Sequence, residues 1–257
     1  MHDSPWRATT RFSGRVENYV RYRPGYPAQV VTILADQAGL ARESIVADVG
    51  SGTGISTRLF LDSGNVVYAV EPNQEMRAAA ETLLRGYSTF HGVAGTAEAT
   101  GLAAGSVDFV VAGQAFHWFD VPRARREFLR ILRPRGWAVL MWNTRRTDTT
   151  AFLRGYESLL NEFGTDYQEV NHAHVTKATL RGFFGDSPPH CRKLPNEQVF
   201  DFEGLTGRLL SSSYVPAEGD SRYGPMLQAL AALFATHQKE GRVRFEYDTE
   251  LYFGRLE

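Results

Sequence analysis

Asp48-Val49-Gly50-Ser51-Gly52-Thr53-Gly54 decides how this chain is read. The short run Ser44–Ala47 leads into it, and Ile55-Ser56-Thr57-Arg58-Leu59-Phe60-Leu61 follows with the pattern of a helix start. Strand, glycine turn and helix, in that order, let a backbone approach a nucleotide-like ligand closely. The glycines fall at 50, 52 and 54, and position 55 is Ile, so G-x-G-x-x-G is not made. The pyrophosphate loop G-x-x-x-x-G-K-[ST] is also missing. A loop this tight suits a ligand without a pyrophosphate.

Working outward, Asn65–Val70 reads as a second buried strand ending in Glu71. A carboxylate at such a strand tip can accept both hydroxyls of a ribose. Glu71 lies 21 positions beyond Gly50, close to the spacing of about 20 expected for a ribose-binding acid.

With these features in place, the chain resembles the class I S-adenosylmethionine (SAM) dependent methyltransferases. VADVGSGTG (46–54) is similar to the family's first motif and VVYAVEPNQEM (66–76) to its ribose segment. GTAEATGLAAGSVDFVVAGQAFHWFD (95–120) resembles its adenine turn and fourth strand, and FLRILRPRGWAVLMWN (128–143) its helix, Pro-Gly turn and fifth strand. The likeness is strongest over 45–145. FSGRVENYVRYRPGYP and AFHWFD are most similar to the small-molecule branch, which includes trans-aconitate and ubiquinone/menaquinone-type enzymes.

The resemblance implies a Rossmann-like α/β fold. It would be a seven-stranded, mostly parallel, doubly wound sheet with one antiparallel edge strand and a helical insertion after strand five. It also implies roles. Backbone N–H groups of Gly50, Ser51, Gly52 and Gly54 would hold the cofactor's carboxylate, with Asp48 near its amine and Glu71 on its ribose. Pro72 and Asn73 would flank the adenine. Thr96, Ala97 and Glu98 occupy the adenine turn, with Thr96 standing where relatives often carry Asp. Gln114 follows strand four at the ligand-binding edge. Methyl transfer needs placement and a dry slot more than acid–base chemistry. Phe116, Trp118 and Phe119 are candidate walls. His117 is the candidate base if the acceptor is a hydroxyl rather than a carboxylate. Tyr19, Tyr22, Arg23 and Tyr26, with Arg11, form an arm suited to an anionic acceptor. Trp142, Asn143 and Arg145 end strand five and would face the acceptor.

The rest of the chain sets limits. At 257 residues, 43% hydrophobic and 22% charged, it reads as one soluble domain. Its parts are an arm and helix (1–40), the cofactor core (41–145), a helical cap (146–240) and a closing strand (241–257). The expected helices are Ala28–Gly39, one opened by Pro72 with its Ala-rich face at Met76–Leu84, Arg123–Leu132 and Met226–His237. Further strands are expected at Thr89–Val93, Val107–Ala112, Trp137–Trp142, Gln198–Phe202 and Val243–Phe253.

A net charge of −1 argues against nucleic acid, and the arginines at 123–135 read as the solvated face of a helix. MHDSPWRATTRF has no apolar signal core, and no run reaches the ~20 apolar residues of a membrane span. The single Cys191 fits a reducing cytoplasm. His172 and His174 lack a carboxylate set, so no metal is expected. The expectation is a cytoplasmic monomer or homodimer. It would use SAM, release S-adenosylhomocysteine (SAH) and O-methylate a carboxylate or hydroxyl of a small molecule. The rival readings are a non-catalytic SAM-binding sensor or partner protein, a degenerate dehydrogenase and an RNA methyltransferase.

Overall fold

A computed structural model describes residues 20–165, 167 and 176–256. Seven strands form one sheet: β1 (Ile45–Val49), β2 (Val66–Val70), β3 (Phe90–Val93), β4 (Val107–Gly113), β5 (Leu132–Arg145), β6 (His190–Phe200) and β7 (Val243–Gly254). Their spatial order is β3-β2-β1-β4-β5-β7-β6. The first five run parallel, and β7 is antiparallel to both β5 and β6. The expected seven-stranded, mostly parallel sheet is therefore present. Its antiparallel strand sits one place in from the edge, with β6 outside it. The order reverses at β1/β4, and such a switch point opens a crevice at the carboxyl ends of the strands.

Helices cover both faces because the interior strands are apolar on both sides. Val46, Val67, Phe109, Val111, Val139 and Met141 pack under α1 (Gln29–Ala38) and α2 (Ile55–Asp62). Ala47, Val110, Ala112, Ala138 and Leu140 pack under α4 (Val121–Ile131) and α6 (Lys177–Phe184). Between these lie α3 (Gln74–Leu84) and, later in the chain, α5 (Ala151–Phe163). A third core joins α5, α7 (Phe202–Leu210) and α8 (Tyr223–His237) to Phe245 and Tyr247 of β7. This is the cap.

Local chemistry explains the helix boundaries. Asn73, Asp120, Thr150, Thr176 and Asp201 each cap a helix by accepting a backbone N–H. The 146–240 region is not helical throughout. β6 crosses its middle as a long sheet strand that begins eight residues before the expected Gln198. As an outer strand it alternates exposed and half-buried residues and tolerates Pro195, so it lacks the apolar signature of an inner strand. Among the described residues no helix is long and apolar enough to cross a membrane. His172, His174, Arg11 and Tyr19 lie outside the described residues.

Candidate cofactor and acceptor site

The glycine loop caps the ends of β1 and β2. Gly50 and Ser51 N–H both donate to Val70 O (2.8 and 3.2 Å), and Gly54 N–H donates to Ser51 O (2.9 Å). Gly52 N–H donates to Glu71 Oε2 (2.9 Å). These four amides are therefore engaged within the protein. The tight turn thus already uses the four amides that were expected to hold a carboxylate. The glycines remain necessary. All three have positive φ, and a Cβ on Gly50 would come within 2.6 Å of the Ala115 methyl carbon. A Cβ on Gly52 would meet nothing within 4 Å, so that side of the loop faces open space.

What the loop does offer is side chains. Ser51 Oγ, Thr53 Oγ1 and Asp48 Oδ1 are buried without a hydrogen-bond partner. The other Asp48 oxygen accepts from Ser56 Oγ (2.7 Å) and Thr57 Oγ1 (2.6 Å) in the first turn of α2. Sequence reasoning had missed these two hydroxyls, although their place at the helix start was visible. Burial pushes the Asp48 carboxyl up to about 6, against the two hydroxyl bonds and with help from the Glu71 charge. Two unpartnered hydroxyls beside an unpartnered carboxylate oxygen fit the carboxylate and ammonium of an amino-acid group.

Glu71 is also buried. Its Oε1 accepts from Asn73 N–H (2.8 Å) and its Oε2 from Gly52 N–H. Burial raises its pKa, and the two amide bonds and the Arg77 charge oppose the rise. Each oxygen keeps lone-pair capacity for one more donor, which suits a diol. Asn73 Oδ1 is committed to capping α3 through Met76 N–H (3.0 Å). Pro72 precedes it in the same turn.

In the expected adenine turn, Thr96 is exposed, Ala97 is buried and Glu98 is half-buried. Thr96 and Ala99 exchange backbone hydrogen bonds that close the turn. Glu98 Oε1 accepts Asp120 N–H (2.9 Å), so this side chain ties the turn to the start of α4.

Beyond β4, Gln114 adopts φ 56°, rare outside glycine. Its Nε2 donates to Asn143 O (3.2 Å), and its Oε1 is buried without a partner. Strain and an unpartnered acceptor at one residue mark a ligand-facing position. Tyr26 joins this place, because a Cβ on Gly113 would lie 2.8 Å from its Oη and 3.0 Å from Ser56 Oγ. His117 is half-buried in the 3₁₀ turn Phe116–Trp118, with its ring 4.7 Å from the half-exposed Trp118.

The other expected acceptor residues among those described are engaged within the protein. Phe116 is 1% exposed and packs on Phe183 (4.8 Å) and Trp142 (6.2 Å), so both Phe116 and Trp142 belong to the sheet core. Asn143 is a strap. It donates to Gly25 O (3.0 Å) and receives Asn196 Nδ2 (3.1 Å) and the Thr249 hydroxyl (2.5 Å). Tyr22 packs in the cap core, and Arg23 Nη2 donates to Ser211 O (2.9 Å) after α7. Arg145 pairs with Glu157 and with Tyr167 Oη (3.1 Å), and its guanidinium lies over the Tyr156 ring (5.0 Å). The expected acceptor set thus divides between the sheet core, the strap and the cap.

Residues 47–140 match the family model described as a methyltransferase domain. An uncharacterised methyltransferase of Mycobacterium tuberculosis is 40% identical over 134 residues, 52% of each chain. An uncharacterised methyltransferase-like protein of Schizosaccharomyces pombe is 32% identical over 156 residues, 60% of this chain and 59% of that one. The matches thus span little more than half the length of these relatives. A solved candidate type II methyltransferase of Anaeromyxobacter dehalogenans has TM-score 0.70 at 25% identity, covering 91% of this chain and 98% of the other. A [4+2]-cyclase shares the fold alone, with TM-score 0.53 at 17% identity over 98% and 97% of the two chains.

Proposed function

We propose that this chain, whose residues 47–140 match a methyltransferase-domain model, is a class I, SAM-dependent enzyme that methylates an oxygen of a small molecule. The observation that carries the reading is the polar set at the strand tips. Asp48 Oδ1, Ser51 Oγ and Thr53 Oγ1 stand unpartnered and buried beside Glu71, whose two oxygens already bridge the loop and α3. Bound there, SAM supplies a methyl carbon on a cationic sulfur, open to an acceptor's lone pair.

The chain's residues do the rest by holding and excluding. Asp48 receives an ammonium, the Ser51 and Thr53 hydroxyls donate to a carboxylate, and Glu71 accepts two ribose hydroxyls. Pro72, Asn73 and Ala97 bound the adenine side. Gln114, Tyr26 and His117 border the strand-end crevice, where an acceptor oxygen is to be aligned. For a hydroxyl acceptor, His117 takes the proton; for a carboxylate, no base is needed. The acceptor is a small molecule rather than nucleic acid, in keeping with the near-neutral chain.

Calorimetric titration of SAH, with NAD as control, tests the cofactor. Labelled-methyl transfer to small carboxylates and phenols tests the chemistry. SAH binding together with methyl transfer supports the reading. No SAH binding at millimolar ligand, or preference for NAD, refutes it. SAH binding without transfer points instead to a non-catalytic sensor.

A further inference from the structure

The structure assigns an anion-binding chamber to the space between the cap and the sheet end, formed by Arg208, Arg145 and Tyr156. We infer that it holds a carboxylate of the acceptor. The occupant's identity as acceptor rests on the methyl-transfer reading; the chamber's preference for an anion does not.

Arg208 projects from α7 and is 6% exposed. Its guanidinium contacts two neutral groups, Tyr247 Oη at 3.3 Å from Nε and Ser212 Oγ at 3.2 Å from Nη1. Among the described residues no carboxylate lies within ion-pair distance of it. More exposed arginines elsewhere in the chain are matched: Arg146 pairs with Asp248 (2.7 Å) and Arg130 with Glu127 (2.7 Å). A buried charge without a counter-charge is costly, and proteins seldom keep one for structure alone.

A second observation points the same way. The Tyr156 hydroxyl is unpartnered on a side chain only 2% exposed, and Arg145 Nη1 is buried and unpartnered although its Nη2 meets Glu157. Both Arg208 and Arg145 act electrostatically on Tyr156. Burial pushes the Tyr214 hydroxyl up, yet the charges of Arg208, Arg23 and Arg145 prevail and hold it below its usual value. The local potential is therefore positive.

The chamber also lies where an acceptor would come. Arg145 and Tyr247 are register partners on β5 and β7. Arg145 stands two residues beyond Asn143, whose carbonyl receives the Gln114 amide. A water would satisfy the Tyr156 hydroxyl but leave the Arg208 charge uncompensated. A carboxylate serves both, because its oxygens accept from a planar guanidinium and from a phenol together.

The test uses the full chain without cofactor, comparing wild type, Arg208→Met and Tyr156→Phe. Melting temperature is read in sodium benzoate, benzamide and sodium phosphate, each against sodium chloride at equal ionic strength, and SAH affinity is measured in parallel. The chamber predicts that Arg208→Met without ligand melts no lower than wild type, since the variant relieves an unpaired charge. It predicts that benzoate but not benzamide raises the wild-type melting temperature saturably. That rise disappears in Arg208→Met and needs several-fold more benzoate in Tyr156→Phe, while SAH affinity stays within twofold.

A lower melting temperature for Arg208→Met without ligand would make the arginine structural and overturn the chamber. So would equal protection of all three proteins by benzoate, or none of any. Protection by phosphate alone overturns the carboxylate assignment. Loss of SAH binding in wild type sinks the methyl-transfer reading and leaves the benzoate comparison readable.

Discussion

Replacing Glu71 by Gln isolates the ribose contact most cleanly. The carboxylate accepts one amide N–H on each oxygen, at 2.9 Å from Gly52 and 2.8 Å from Asn73, and keeps one lone-pair direction on each for a ligand hydroxyl. A hydrogen bond to a charged group contributes about 1.5–3 kcal/mol net. Gln keeps one acceptor and loses the charge, so one hydroxyl contact goes and the other weakens. The expected loss is about 2–4 kcal/mol, or roughly 30- to 1,000-fold in SAH dissociation constant. Calorimetry at pH 7.5 on variants whose circular dichroism matches wild type reads it directly. Glu71→Ala should lose more, because the Gly52 and Asn73 amides are then buried without acceptors and the loop loosens. If Glu71→Gln binds SAH within about threefold of wild type, under about 0.7 kcal/mol, the acid does not touch the ribose and the site assignment fails.

Asp48 gives a prediction with a defined sign. Its folded pKa of about 6 lies above its ordinary 3.8, so the stability it contributes is full below about pH 4 and lost as pH rises through 6. The gap corresponds to about 3 kcal/mol. Asp48→Asn should therefore be more stable than wild type at pH 8 by up to that amount and equal to it near pH 4, in urea melts, while binding SAH at least tenfold more weakly. Identical pH profiles would refute the assignment. Gly52→Ala should cost about 1–2 kcal/mol through its left-handed backbone but weaken SAH at least tenfold, since its methyl group enters open space. Gly50→Ala should lower the melting temperature further, because its methyl group meets Ala115. Glu127, held down at about 2 chiefly by Arg130, contributes stability that is full above about pH 4.5 and lost as pH falls toward 2. Glu127→Gln should flatten the acid limb of the thermal melts.

The arrangement of strand, glycine loop and acid was legible because its determinants are local. A strand, a loop with glycines at 50, 52 and 54 and an acid at the next strand tip sit within 30 residues, and the parallel sheet imposes their neighbourhood. Long-range bonding was not legible. Nothing in the sequence says that the Gly52 amide would turn to Glu71 rather than to a ligand, or that Glu98 would anchor Asp120. The cap was harder still. β6 lacks the apolar run of an inner strand, and with only its end from Gln198 expected, α7 had no frame. Arg208, lying in that gap, carries no sequence signal of burial, and its packing against Tyr247 reveals it. The shared fold of a [4+2]-cyclase shows why the chemistry must be argued from such residues rather than from topology.

The charges of the two halves have a common logic. Asp48 and Glu71 are buried acids whose pKa values rise on folding, and Arg208 is a buried cation without an acid beside it among the described residues. They do not compensate one another. From β1, which carries Asp48, to β7, whose Tyr247 meets Arg208, there are three steps across the sheet, about 14 Å at the usual strand spacing. At an effective dielectric constant near 20, two charges that far apart attract by only about 1 kcal/mol. Among the described residues, neither Asp48 nor Arg208 therefore has an opposite charge beside it. In the proposed reading, the cofactor's ammonium would supply the charge Asp48 lacks, and a carboxylate acceptor the charge Arg208 lacks. The stability that this chain forgoes without ligands would then become binding energy with the two proposed reactants side by side, the acceptor's negative end directed away from the acids and toward the cap.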